Sequence, residues 1–201
     1  MKKHRRTSRR RRQKRKRSKM AIIIFTILAI VLIGDVVGAV MYLRQTPDMQ
    51  ESLMIYVTTG DSLSFFQIFW QQFLYQLTIW TLGATLIGNI INLFLIFVRG
   101  VSAGFNLAVL IEQDIATSII VLWLIQYLLI LFTTILSVYF SLRFAYLMVM
   151  SLAKKKVKLI KKYIKLYVMQ LMVILLLTLF TAMTSAVVTP IIQNYLTHGN
   201  F

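Results

Sequence analysis

At 201 residues, 58% of them apolar, the chain is too oily for a water-facing domain; soluble domains average about 45–50% apolar residues. The formal charge of +17 looks like that of a nucleic-acid binder, but it is local: 13 of the 23 basic residues lie in residues 1–20, and beyond them 10 basic residues face 6 acidic ones, leaving +4. The absence of cysteine excludes disulfides, thiol nucleophiles and thiolate metal sites.

The basic stretch MKKHRRTSRRRRQKRKRSKM abuts the apolar run AIIIFTILAIVLIGDVVGAVMYL. Cytoplasmic flanks of membrane helices are rich in Lys and Arg, so residues 1–20 are expected as a cytoplasmic tail and 21–43 as a first transmembrane helix. That run exceeds the roughly 7–15 residues of a signal-peptide core, which favours a retained anchor. The next segment, RQTPDMQESLMIYVTTGDS, carries Asp48, Glu51 and Asp61 against the single base Arg44, suiting the outer face. Pro47 suits the first turn of a short helix bearing Met49, Leu53, Met54 and Tyr56 on the outer leaflet.

From Phe65 to Ile111 the sequence is almost continuously apolar, too long for one crossing. With a break at Gly88-Asn89 it divides into helices over 66–87 and 90–111; a break at Arg99-Gly100 is the alternative. Glu112 and Asp114 mark an outer turn. A fourth helix is expected over 117–141, then a basic amphipathic cytoplasmic helix within 143–165. There Val157, Ile160, Ile164 and Tyr167 share one face while Lys154, Lys158, Lys161, Lys162 and Lys165 take the other. A fifth helix over 167–188 ends or kinks at Pro190, and 193–201 form an outer tail. The fold class is therefore all-α: a polytopic bundle of about five transmembrane helices within 21–192, amino terminus inside and carboxyl terminus outside.

Three segments resemble the stage II sporulation protein M family of bacterial integral membrane proteins. They are FWQQFLYQLTIWTLGATLIG (69–88, with Phe69 and Trp70), FVRGVSAGFNLAVL (97–110, with Gly100, Gly104 and Phe105) and SAVVTPII (185–192, with Thr189 and Pro190). The chain departs from the family where many members carry Pro-His-Gly and an acid near the fourth helix; here stands WLIQYLLIL around Gln126. It departs again at Ser185, where many carry an acid before Thr-Pro. The resemblance implies a non-enzymatic membrane component. Some relatives look like scaffolds for peptidoglycan-degrading partners during engulfment. Others accompany circular bacteriocin precursors as maturation, export or immunity components, and the enlarged tail and diverged fourth helix favour that setting. A structural subunit of a cell-wall remodelling complex and a small permease working with an ATPase are the alternatives.

Gly34/Gly38 and Gly100/Gly104 are small pairs four apart, the spacing that lets membrane helices approach closely; Ala84/Gly88 adds a third. Glycine is also simply common in membrane helices. Beside them stand two intramembrane charges, Asp35 and Arg99. At about 1.5 Å per residue their depths differ by about 6 Å, so an ion pair locking helix 1 to helix 3 is expected, against an interfacial placement of each. The amides Gln67, Gln71, Gln72, Gln76, Asn89, Asn92, Asn106 and Gln126 read as interhelical hydrogen-bonding groups rather than a substrate groove. His4 and His198 sit at opposite chain ends, and no catalytic motif, metal-ligand set or cofactor signature is present. The expected partners are the bilayer and its anionic lipid, membrane proteins, a cytoplasmic ATPase or a bacteriocin precursor. The tail has no aromatic residue for base stacking, which disfavours nucleic acid.

Overall fold

The computed structural model describes residues 2–46, 49, 64–112, 117–153 and 157–198, with side chains over 21–46, 49, 64–112, 117–153 and 160–191. Five helices follow in order: α1 (Lys2–Leu43), α2 (Phe65–Leu82), α3 (Leu86–Glu112), α4 (Thr117–Ala153) and α5 (Val157–His198). The expected outer-leaflet helix around Pro47 and the turn at Asp114 lie outside the described residues, as do Lys154 and the side chain of Lys158.

Cross-chain contacts give each helix its direction. Gly34 meets Gly100, and Gly38 meets Val101 and Phe105, so α1 and α3 run parallel. Asn92 bonds to Ile79 on α2 and to Ser141 on α4, and Tyr75 bonds to Leu95, so α2 and α4 run against α3. Phe144 stacks on Tyr167, which turns α5 back beside α4. The five described helices traverse the bundle in alternating directions. Ala21–Leu43, Leu86–Glu112, Thr117–Ala153 and Ile160–Ile191 are long and apolar enough to cross a membrane. Helix α2, about 27 Å long at 1.5 Å per residue, carries four glutamines that lower its hydropathy, and it completes the bundle.

The short α2–α3 connection corrects the expected break. Helix α2 opens on a capping box: the Gln67 N–H donates to Ser64 Oγ (3.3 Å) and the Ser64 N–H donates to Gln67 Oε1 (2.8 Å). It closes at Gly83, whose N–H reaches the Ile79 carbonyl (2.9 Å). The turn is 83–85, neither Gly88-Asn89 nor Arg99-Gly100. Thr85 Oγ1 accepts from the Gly88 N–H (2.9 Å), and the Asn89 amide donates to the Gly83 and Thr85 carbonyls (3.2 and 2.7 Å). In lipid, the open ends of two helices need such partners. Gly88 and Asn89 therefore belong to the first turns of α3, capped by Thr85, rather than to the break. A Cβ at Gly88 would strike the Leu82 carbonyl.

The expected surface helix over 143–165 is not a separate element either. Residues 143–153 finish α4, and Val157 onward begins α5, one 42-residue helix without an interior glycine. Buried Tyr167 pins the junction: its ring lies between Trp80 (4.7 Å) and Phe144 (4.0 Å), and its hydroxyl donates to the Trp80 carbonyl (2.7 Å). Pro190 neither ends nor interrupts α5, which runs on to His198; it is exposed and removes one intrahelical donor.

The apolar core joins Ile27 and Val31 of α1, Ile79 of α2, Ile96 of α3 and Leu131 and Val138 of α4. Around it, large apolar side chains point outward, among them Phe25, Ile87, Ile90 and Leu176. That is the surface of a protein whose solvent is hydrocarbon. It is a multi-pass membrane protein.

Candidate functional site: a polar seam and its cavity

Helix α2 lies at the centre of a polar seam. Gln76, 3% exposed, donates to Thr134 Oγ1 (3.3 Å) and accepts from Ser137 Oγ (2.6 Å), tying α2 to α4. One turn away, Gln72 donates to Ser185 Oγ (3.2 Å) and accepts from Thr181 Oγ1 (2.9 Å), tying α2 to α5. Toward the α2–α3 turn, Asn92 donates to the Ile79 carbonyl (2.8 Å) and Ser141 Oγ (3.3 Å), and Ser141 donates to Asn89 Oδ1 (3.2 Å). These amides act as interhelical clamps, meeting groups that lipid could not solvate, although Asn92 Oδ1 itself has no partner. Gln67 is spent on its own helix cap, whereas Gln71 and Asn106 are exposed.

Sequence reasoning missed the partners of those amides. Thr134, Ser137 and Ser141 recur at i, i+3 and i+7 on α4, and Thr178, Thr181 and Ser185 repeat the spacing on α5. Such hydroxyl stripes in apolar helices are a readable signal for a buried polar face.

The glycines bring α1 and α3 into backbone contact. A Cβ on Gly34 would lie 2.5 Å from the Phe97 carbonyl oxygen, and one on Gly100 2.5 Å from that of Val31. Cβ atoms on Gly38 and Gly104 would collide with the carbonyls of Val101 and Asp35. Phe105 closes the crossing edge-on against Tyr42 (5.2 Å).

Asp35 and Arg99 flank this crossing, yet they do not form the expected ion pair. The Tyr127 hydroxyl donates to Asp35 Oδ1 (3.0 Å), and the Arg99 guanidinium stands 4.5 Å above the Tyr75 ring. The close crossing turns the two side chains onto different neighbours, so each charge is met by an aromatic residue. Among the described residues no carboxylate comes within pairing distance of Arg99.

Arg99 instead borders a cavity of about 190 Å³ between α3 and α4, with Ser102, Asn106, Trp123, Gln126 and Tyr127. Trp123 stacks on Tyr127 at 5.4 Å. Gln126 Oε1 is sealed from solvent and has no hydrogen-bond partner. On the α1 side of α4 lies a second hollow of about 360 Å³, lined by Ile24, Leu28, Leu131, Phe132, Ile135 and Tyr139.

The remaining expected residues lie apart from the cavity. Phe69 stacks between Phe65 (6.3 Å) and Phe73 (5.9 Å), and Trp70 stacks on Phe66 (6.2 Å), forming an aromatic band at the start of α2. Thr189 and Pro190 sit near the far end of α5, and Lys161, Lys162 and Lys165 are exposed at its beginning.

The family model described as Stage II sporulation protein M (SpoIIM) matches residues 20–190. This chain belongs to the SpoIIM family. The match spans all five traverses of the bundle and stops short of the basic tail, so the seam, the glycine crossing and both hollows lie within the SpoIIM region. No curated protein and no solved structure matches the chain.

Proposed function

We propose that this SpoIIM protein is a non-enzymatic membrane component acting on a hydrophobic peptide, a circular bacteriocin, in its maturation, export or producer immunity. The observation that carries this reading is the apolar hollow between α1 and α4, whose lining of Ile, Leu and Phe side chains beside Tyr139 suits an apolar segment arriving through the bilayer. A non-catalytic role is supported by the buried hydroxyls. Thr134, Ser137, Ser141, Thr178, Thr181 and Ser185 are all engaged with amides or with carbonyls of their own helix. A nucleophile needs a base in that position. The amino terminus lies in the cytoplasm, where the tail and Lys161, Lys162 and Lys165 meet anionic lipid at about 1 kcal/mol per residue.

The matched family's own description favours a second reading, a structural subunit of a sporulation or cell-wall remodelling complex. Deletion of the gene separates the two. The peptide reading expects loss of secreted antimicrobial activity, of ring closure or of self-resistance. Unchanged export, cyclisation and resistance alongside a cell-wall or engulfment defect would favour the second and sink the first.

A further inference from the structure

The α3–α4 cavity carries a chemistry that helix packing leaves unused. Arg99 sits 13 residues from each end of α3, about 20 Å at 1.5 Å per residue, in the middle of the span. An ionised group at that depth is costly and is kept where it faces a partner or a water-filled space. Arg99 stands over the Tyr75 ring, and no anion meets its N–H fork among the described residues. Gln126 borders the same cavity, and its carbonyl oxygen, buried in the wall, has no donor. A buried acceptor left unmet is destabilising. Ser102 and Asn106, both exposed, line the same cavity and open it sideways.

We infer that this cavity binds the free C-terminus of an apolar peptide, the carboxylate on Arg99 and a backbone N–H of the peptide on Gln126 Oε1. The unmet groups select this ligand. One cation, beside a Tyr127 hydroxyl already committed to Asp35, suits a monoanion better than a phosphate dianion, and lipid headgroups lie at the ends of the span rather than its middle. A fatty acid would satisfy Arg99 but offers no N–H to Gln126. The inference rests on the reading that the protein handles an apolar peptide, and it sharpens that reading: a linear precursor has the carboxylate, whereas its ring-closed product has none.

The test uses the full-length protein in phosphatidylcholine nanodiscs and a fluorescent apolar dodecapeptide, prepared as the free acid and as the C-terminal amide. The acid is expected to bind about 10- to 100-fold more tightly than the amide, the range a charge-assisted hydrogen bond supplies. Arg99→Gln should abolish that preference, and Gln126→Leu should weaken both peptides while leaving the preference in place. Equal binding of acid and amide by the unsubstituted protein would overturn the proposal even if Arg99→Gln failed to fold. Equal displacement by laurate would overturn the peptide assignment in favour of a fatty carboxylate. Because the probe is not a bacteriocin, this experiment can succeed while the gene deletion leaves bacteriocin export untouched, so the two failures are distinguishable.

Discussion

Gln76 shows what a single amide does in this bundle. It accepts from Ser137 and donates to Thr134 at a site almost wholly removed from lipid. Replacement by Leu removes both bonds, but the cost is tempered. Thr134 already donates to the Ile130 carbonyl, and Ser137 can turn to a carbonyl of its own helix. Interhelical bonds of this kind average about 0.6 kcal/mol and reach about 1.7, so Gln76→Leu should cost about 1 kcal/mol in reversible detergent–SDS unfolding. A variant as stable as the parent would show that the clamp contributes nothing. The amides were legible in sequence because a Gln or Asn in an apolar run has few places to go. Their partners were less so, since Ser and Thr can always bond within their own helix. The Asp35–Arg99 pair was misjudged for another reason. Depth along a helix can be counted from sequence, but side-chain azimuth depends on how closely α1 and α3 cross, and here Tyr127 and Tyr75 stand where the ions would have met.

That crossing belongs to the scale of elements. Apolar helices gain nothing from hydrophobicity in lipid; close packing and dispersion hold them together. Gly34, Gly38, Gly100 and Gly104 bring backbone against backbone at the contact, and α1 packs against α3 more extensively than any other pair of helices packs. A methyl group at Gly104 must push the Asp35 carbonyl and the backbone behind it. Overpacking of this kind costs about 1–3 kcal/mol, so Gly104→Ala should lower the thermal unfolding midpoint in detergent. Leu32→Ala, at a lipid-facing position that is 61% exposed, should move it little. Matching midpoints for the two variants would mean that the crossing is looser than described. Glycine spacing marked both helices as closely packed ones, but it was the expected ion pair, not the glycines, that joined them on sequence alone. The α2–α3 turn was not recognisable in the same way, because Gly83 and Gly88 are equally good breakers by composition. The choice falls to Thr85, whose hydroxyl caps α3 only when the turn is at 83–85.

At the scale of the whole molecule, parity is the question that hydropathy leaves open. Four helices qualify as spans by length and composition, and α2 falls short. The geometry supplies the missing constraint. Helices α1 and α3 run parallel, so the chain must return once between them, and α2 is the described helix that makes the return. Five traverses put the two ends of the bundle sequence on opposite sides, with the basic tail and the α4–α5 junction sharing one of them. The excess of Lys and Arg on that side is the ground for proposing it as the cytoplasmic one. Phosphatase fused at Phe201 should therefore be active, and a fluorescent protein inserted between Ala153 and Val157 should fluoresce. Fluorescence at Phe201 would make the count even and require α2 to be something other than a span. The two basic regions should also back each other up. Removing residues 2–19 alone is expected to leave the Phe201 reporter outside, because lysines at the α4–α5 junction still hold their end of the bundle in the cytoplasm. Neutralising Lys161, Lys162 and Lys165 as well should produce a mixed population, and a full inversion on removing the tail alone would show that the first helix decides orientation by itself.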